Sequence, residues 1–209
     1  MKERVYILAL WLRLWHWTNA TLIILLIISG FSLHLAGPPQ ATLLDFSVAR
    51  GVHNFCGPCL CAAYVVFVIG NIVTGNLSHF IPNPKGYLER AAKQFRYYAY
   101  GIFVGEPHPF PPTPERNFNP LQQVVYWLVM YVVMPSLLIT GLVFMFPEFA
   151  PDKIWGVDGL LPFAVAHYVV GFIIVCFLTL HLYLATTGDT VLSMIKMMIS
   201  GWHEHEGHH

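Results

Sequence analysis

Four long apolar stretches constrain the fold of this chain more than any other feature of its sequence. A helix needs about 20 residues to cross the hydrocarbon core of a bilayer, and each stretch is at least that long. The composition agrees, since 56% of the residues are hydrophobic and only 11% are charged. We therefore predict an all-α integral membrane protein, a four-helix bundle formed by residues 1–209 as a single domain. The predicted spans are approximately residues 14–37, 52–75, 121–146 and 160–187.

The basic residues predict the orientation of this bundle, because Lys and Arg are retained on the cytoplasmic side during insertion. Of the eleven Lys and Arg residues, Arg50 and Lys153 fall in one pair of connections and the other nine fall on the opposite side. We therefore expect both termini and the loop of residues 76–120 to be cytoplasmic. The nine are Lys2, Arg4, Arg13, Lys85, Arg90, Lys93, Arg96, Arg116 and Lys196.

Charge balance and cysteine content say little about partners. Lys plus Arg equals Asp plus Glu, so net charge does not indicate a nucleic-acid partner, and we expect none. The CGPC sequence lacks the βαβ context of a thioredoxin-type pair, and Leu60 stands where a c-type haem motif needs histidine. Three interpretations of Cys56 and Cys59 remain: buried packing, a thiol couple or a metal-sensitive pair.

Apart from His34 at the outer edge of the first span, four histidines lie inside the predicted spans, where a polar side chain is costly and usually has a function or a partner. Their depths match in pairs. One histidine of the first span and one of the fourth lie near the cytoplasmic ends, and one of the second span and another of the fourth lie near the outer ends. The cytoplasmic pair is His16 and His181, and the outer pair is His53 and His167.

The fourth span predicts one ligand for each of two layers. His167 and His181 are fourteen residues apart, which is nearly four turns, so they share a helix face and lie about 21 Å apart along the axis. Two facing imidazoles are the arrangement that holds six-coordinate haem iron. Zinc would need three or four ligands at one depth. The pattern therefore favours two haem sites.

Glycines in the spans predict room for a flat ring between helices. Gly171 lies four residues after His167 on the same face, and Gly30, Gly70 and Gly141 offer further places of close approach. The simpler interpretation of any one histidine is hydrogen-bonded packing, and glycine is common in membrane helices. Two depth-matched pairs favour haem ligation over that interpretation.

RLWHW at residues 13–17, ARGVHN at residues 49–54 and the two histidines of the fourth span carry a resemblance to a known group. The chain resembles the di-haem cytochrome b subunits of formate dehydrogenases, Ni-Fe hydrogenases and thiosulfate or polysulfide reductases. The likeness covers nearly the whole chain. Within the group, SGFSLHL at residues 29–35 and GNIVTGN at residues 70–76 are most similar to the thiosulfate-reductase type.

The resemblance implies that His16 and His181 hold a haem b on the cytoplasmic side, and that His53 and His167 hold a second haem b on the outer side. It implies a multi-pass protein of the prokaryotic inner membrane. Arg13, one turn before His16, is placed to meet a haem propionate. An arginine beside the membrane that acts only as a topology signal is an equal alternative.

The resemblance also implies a quinone contact at the start of the third span. In relatives an Asn-x-x-Gln-Lys element lies beside the quinone, and here Asn119 and Gln122 match it while Gln123 replaces the lysine. The other interpretation is structural, with Asn119 as a helix N-cap and Pro120 as the first helical residue. Both interpretations are compatible.

The predicted function is that of a di-haem b membrane anchor in a respiratory oxidoreductase complex. It would transfer electrons between a quinone pool, menaquinone or ubiquinone, and an iron-sulfur or multihaem cytochrome subunit. One alternative is a stand-alone di-haem superoxide:quinone oxidoreductase. Another is a haem-free metal transporter lined by the same histidines.

Two further segments are predicted on the cytoplasmic side. Residues 86–103 mix basic and aromatic side chains and predict an amphipathic helix at the membrane surface. The His-rich tail, residues 201–209, is interpreted as a solvated end or as a transition-metal binder.

Overall fold

The computed structural model describes residues 3–36, 43–111, 113, 118–188 and 190–205. Lys2, Arg116 and the end of the His-rich tail, which entered the predictions, lie outside these residues. Four helical spans are long and apolar enough to cross a membrane, which confirms the all-α membrane fold. They are α1 (Leu10–His34), α2 (Phe46–Thr74), a third span made of α4 (Pro120–Leu128) and α5 (Met134–Met145), and α6 (Leu160–Ala185).

The remaining elements are short. The helices are α3 (Tyr87–Ala99) and α7 (Ser193–Ser200), with 3-10 turns at Asn76–Phe80, Gly101–Val104 and Pro147–Phe149. The strands are β1 (Glu3–Tyr6), β2 (Lys153–Ile154), β3 (Val157–Asp158) and β4 (Trp202–His205).

The chain forms two compact units. The membrane unit comprises Trp11–Ile69 and Val133–Leu184, and the peripheral unit comprises Met1–Leu10, Gly70–Val132 and Ala185–His209. The membrane unit contains most of α1, α2, α5 and α6, and with them all four histidines predicted as ligands. The single-domain organisation stays a prediction.

The surface of the spans is apolar. Between 6% and 22% of the most apolar window of each span is buried within the chain, so much apolar surface is left for lipid tails to cover. Inside the membrane unit, Trp15 joins α1 to α2. Its Nε1 donates to the carbonyl of Ala63 at 2.8 Å, and its ring stacks on Phe67 with centroids 4.3 Å apart. This contact fixes the backbone beside His16.

Helix α2 begins at Phe46, six residues before the expected start near residue 52. Its first turn closes where the Ala49 amide donates to the Asp45 carbonyl at 2.8 Å. From hydropathy, the span was expected to start after Arg50, because this charged residue interrupts the apolar run. The helix starts earlier, directly after Asp45, a residue type favoured at a helix N-cap. His53 consequently lies two turns inside α2 and not at its start.

The third span contains a π-helical turn at Val129–Val133, between α4 and α5. Pro135 lies two residues after this turn, as the second residue of α5. Because proline has no amide hydrogen and its ring crowds the carbonyl four residues earlier, the regular bonding pattern is interrupted there. A widened turn accommodates the defect without breaking the span.

The connection between the third span and α6 contains a small hairpin in which β2 pairs with β3. Its turn residues, Trp155 and Gly156, have φ values of 50° and 84°. Positive φ at both central residues is the requirement of the tight turns that match strand twist. Trp155 is 93% exposed at the tip, a placement typical of the aromatic side chains that lie at a membrane–water interface.

The two ends of the chain meet in the peripheral unit. Strand β1 pairs with β4 in antiparallel register, and the Tyr6 and Trp202 rings lie edge to face at 5.2 Å. The amides of Ile7 and Leu8 both donate to the carbonyl of Gly201, at 2.9 and 3.2 Å. Residues 3–6 and 202–205 therefore lie beside each other in the peripheral unit. That both termini are cytoplasmic stays a prediction.

Candidate functional site

The structure brings the four span histidines together in the two predicted pairs. The ring centroids of His16 and His181 are 6.1 Å apart, and those of His53 and His167 are 6.3 Å apart. All four side chains are half-buried within the membrane unit. Each pair joins two helices, and α6 supplies one member of each.

The lengths of the helices place the pairs at two depths. His53 and His167 each lie seven residues after the first residue of their helix, Phe46 and Leu160 respectively. Two turns of helix thus carry each of them to the same depth. His16 lies six residues into α1, and His181 lies four residues before the end of α6, so this pair is at the opposite end of the bundle.

The His53–His167 pair is held by hydroxyl groups. Oγ of Ser29 lies 3.0 Å from Nδ1 of His53, and Oγ1 of Thr140 lies 2.9 Å from Nδ1 of His167. The glycine that follows each hydroxyl residue also faces the ring. A Cβ on Gly30 would lie 3.4 Å from Cε1 of His53, and the corresponding distance from Gly141 to His167 is 3.3 Å.

The His16–His181 pair is held by aromatic rings. Trp17 meets His16 edge to face at 5.3 Å, and Phe177 stacks on His181 with centroids 5.7 Å apart and an interplanar angle of 22°. Nδ1 of His16 is buried and makes no hydrogen bond to a described residue. The two pairs therefore differ in what surrounds them.

The spacing of the rings fits two imidazoles that share one metal. Metal–nitrogen bonds of about 2.0–2.1 Å, with each ring centre roughly 1 Å beyond its nitrogen, put the two centres roughly 6 Å apart. Around Gly171, no heavy atom lies within 4 Å of the position a Cβ would take, which leaves space beside the His167 helix face. Within the described part of the chain, no cluster of three or more His, Cys, Asp or Glu side chains forms a metal site. The donor sets suit haem iron and do not suit zinc.

Arg13 lies on α1 one turn before His16 and is half-buried. This is where the resemblance puts a residue that meets a propionate. That role stays a prediction.

The predicted quinone residues lie in the peripheral unit and hold the start of α4. Oδ1 of Asn119 accepts from the Gln122 amide at 2.9 Å, and the Asn119 amide donates to Oε1 of Gln122 at 3.2 Å, which is a reciprocal capping box. Pro120 is the first residue of the helix. The structural interpretation of Asn119 and Pro120 is therefore confirmed.

Neighbouring side chains also engage this helix start. Nδ2 of Asn119 donates to Oη of Tyr98 on α3 at 2.7 Å. Nε2 of Gln123 donates to the carbonyls of His79 and Ile81 at 2.8 and 3.0 Å, so the residue in place of the family's lysine binds backbone. Burial raises the pKa of Tyr98, so its hydroxyl stays protonated at neutral pH.

The comparison with known sequences agrees with this geometry. The sequence model of the prokaryotic cytochrome b561 family matches residues 8–201. The chain belongs to this family. Members of the family bind haem b, and this cytochrome b561 is accordingly a multi-pass prokaryotic membrane protein of electron transfer.

A similar protein of known sequence supports the same family. This cytochrome b561 is 44% identical over 203 residues to "Putative cytochrome YdhU" of Escherichia coli (strain K12), an alignment that covers 97% of this chain and 76% of that protein. Both comparisons support a cytochrome b membrane subunit. The closer likeness to the thiosulfate-reductase type stays a prediction.

Sequence reasoning missed the hydroxyl residues that contact the histidines of this cytochrome b561. The available signal was an internal repeat, since LIISG at residues 26–30 and LLITG at residues 137–141 share the order Leu, two aliphatic residues, a hydroxyl residue and Gly. Only the glycines had been identified. In the structure, each copy places its hydroxyl residue and its glycine in contact with a histidine ring.

Proposed function

We propose that this cytochrome b561 holds two b haems, one on each histidine pair, and transfers electrons across the membrane between a quinone pool and a partner redox subunit. The observation that carries the proposal is the pairing itself. Two facing imidazole pairs lie at opposite ends of one helical bundle, with centroid distances of 6.1 and 6.3 Å. A single histidine pair would hold one haem at one depth. Two pairs at different depths would hold two haems, between which electrons can cross the bilayer.

The side chains have distinct roles in this proposal. His16 and His181 would be the axial ligands of one haem, and His53 and His167 those of the other. Arg13 would bind a propionate of the first haem through its guanidinium. Haem b supplies one-electron oxidation and reduction at its iron. The apolar side chains of the spans exclude water, and the contacts of each imidazole tune the potential.

The geometry of α6 sets the distance to be crossed. His167 and His181 belong to one continuous helix, and their separation along its axis is about 21 Å. A regular helix holds this offset rigidly, because every intervening backbone group is bonded within the helix. The spacing of the two sites is therefore fixed by one element.

We propose that quinone contacts the start of α4. In the capping box, the Asn119 side chain uses its oxygen for the Gln122 amide and its nitrogen for Tyr98. Oε1 of Gln122 is likewise engaged, but Nε2 makes no hydrogen bond to a described residue. This favours Gln122 Nε2 as the donor to a quinone carbonyl, with Asn119 holding Gln122 in place.

The partner in this proposal is an iron-sulfur or multihaem cytochrome subunit. The haem-free metal transporter would use the same two histidine pairs, and it predicts bound zinc or copper without a haem absorption spectrum. The stand-alone superoxide:quinone oxidoreductase differs from the anchor only in needing no partner. Purification from native membranes in mild detergent separates the two, because the anchor would retain a second redox protein.

Anaerobic mixing of the purified protein with menaquinol or ubiquinol tests the quinone part of the proposal. We expect one of these quinols to reduce haem, seen as growth of the reduced α-band. Gln122→Ala should slow that growth severalfold at unchanged haem content, while Gln122→Glu, which keeps the capping oxygen but loses the donor, should slow it as well. A haem-loaded protein that neither quinol reduces would contradict the quinone assignment.

A further inference from the structure

The LIISG and LLITG repeats build the same contact around two different histidines. Ser29 and Gly30 on α1 face His53 of the next helix, and Thr140 and Gly141 on α5 face His167 of the next. In each copy the hydroxyl oxygen approaches Nδ1 within 3.0 Å, and the glycine lies against Cε1. The His53–His167 pair is thus held symmetrically by two copies of one short sequence.

The hydroxyl hydrogens identify which ring nitrogen carries a proton. Oγ of Ser29 lies 2.7 Å from the carbonyl of Leu25, and a carbonyl can only accept, so the single hydroxyl hydrogen is directed there. The hydroxyl then offers a lone pair to the ring, and Nδ1 of His53 must donate. The ring also lies against the Leu26 carbonyl, a second group that can only accept.

The second copy repeats this arrangement. Oγ1 of Thr140 donates to the Ser136 carbonyl at 2.7 Å, and the His167 ring lies against the Leu137 carbonyl. Nδ1 of His167 is therefore also a donor. In both histidines the hydrogen is on Nδ1, and Nε2 keeps its lone pair for a metal.

The other pair provides the contrast. Nδ1 of His16 is buried without a hydrogen bond to a described residue, and its ring meets Trp17 edge to face. An imidazole that donates from Nδ1 is a more basic metal ligand than one that does not. A more basic ligand stabilises the ferric state and lowers the reduction potential of a haem.

We propose that Ser29 and Thr140 are positioning residues that hold His53 and His167 through Nδ1–H and lower the reduction potential of the haem bound by that pair. This rests on the proposed function, since it concerns one of its two haems. The hydroxyls touch neither iron nor macrocycle and act only through the histidines. Gly30 and Gly141 provide the close approach that the hydrogen bonds require.

Ser29→Ala and Thr140→Val remove the hydroxyls with little change in volume. Redox titration of the α-band should show the affected haem becoming easier to reduce, by severalfold in its equilibrium constant for each variant and by more in the double variant. A tenfold change corresponds to about 59 mV for a one-electron couple. Ser29→Thr and Thr140→Ser keep a hydroxyl and should keep the wild-type potentials.

Control hydroxyl residues exist on α1 and α2. Ser32, fully buried on α1, bonds the Ile28 carbonyl and the Leu44 amide and no histidine of the described residues. Among the same residues, Thr74 on α2 bonds only the Gly70 carbonyl. Ser32→Ala and Thr74→Val should therefore leave both potentials unchanged.

Single-haem variants assign the shift. Against a His16→Ala background, which should retain only the haem of the His53–His167 pair, Ser29→Ala must still raise the potential. An unchanged or lowered potential, a shift of the other haem, or an equal shift in the Ser32→Ala control would overturn the inference while leaving two haems in place. A wild-type protein without two b haems would instead contradict the proposed function, and this inference with it.

Discussion

Each histidine of the His53–His167 pair reaches a helix backbone because the residue it meets has no side chain. The ring of His53 lies against Gly30 and that of His167 against Gly141, and an added Cβ would come within 3.4 and 3.3 Å of Cε1. At 3.3 Å the Gly141 contact would force the His167 ring to move by a few tenths of an ångström, whereas 3.4 Å at Gly30 is the lower limit of ordinary van der Waals contact. Since a ligand must keep its distance to iron within narrow limits, these glycines are part of the site.

Gly30→Ala combined with Gly141→Ala should therefore reduce binding of this haem and spare the other. Haem content should fall from two per chain towards one, measured by extraction and absorbance. Gly51→Ala is the matched control, because a Cβ there meets no atom within 4 Å and the variant has the same gain in helix propensity, about 0.5–1 kcal/mol. Full haem content in the double glycine variant would show that the close approach is unnecessary.

The sequence predicted the histidine pairs but not the hydroxyls beside them, and the reason is physical. A Ser or Thr in a membrane helix usually bonds the carbonyl of its own preceding turn, as Thr21, Thr74 and Thr179 do here. Ser29 and Thr140 make that same bond. Only the position of the neighbouring helix decides which hydroxyls also meet a ring.

Helix ends show what local sequence determines. The capping box at Asn119 was predictable, because Asn followed by Pro and then by Gln at the third helical position is a strong start signal. The start of α2 was displaced because Arg50 interrupts the apolar run, and the π-helical turn before Pro135 depends on how a long helix absorbs a missing hydrogen bond. Hydropathy predicts which segments span the membrane, but it does not predict where a helix starts or where its hydrogen-bonding pattern is interrupted.

Asn119→Ala should destabilise the start of α4. Loss of the cap costs typically ~1 kcal/mol, and the bond from Nδ2 to Tyr98 is lost as well. The unfolding midpoint in detergent, followed by helical circular dichroism, should fall. Asn119→Asp keeps the capping oxygen but lacks the Nδ2 donor, so its midpoint should lie between those of the alanine variant and the wild type. Equal midpoints for the alanine variant and the wild type would contradict the structural role of Asn119.

On the scale of the whole molecule, pairing of the chain ends was beyond sequence reasoning. The tail was interpreted as a solvated end or a metal binder, yet residues 202–205 form a strand against residues 3–6. Such a contact joins segments about 200 residues apart, and neither segment carries a pattern that specifies the other. The distribution of Lys and Arg predicts that both ends share a side, and the pairing of these two strands agrees with it.

The two-site architecture itself follows from sequence because membrane helices are nearly parallel rods of known rise. Depth within a span can then be counted, and four histidines sorted by depth give two pairs. The structure brings the members of each pair together at 6.1 and 6.3 Å. Which side of the membrane each pair faces rests on the distribution of Lys and Arg and stays a prediction.

The most direct test of the account is a haem count with a reduced-minus-oxidised spectrum on the wild-type protein, His16→Ala and His53→Ala. We expect two b haems per wild-type chain and one in each variant, with the two variants retaining haems of different potential. His34→Ala is the control, because His34 stacks on Tyr168 and belongs to neither pair. A wild-type protein without haem, or a single haem that both substitutions remove, would contradict the two-site assignment.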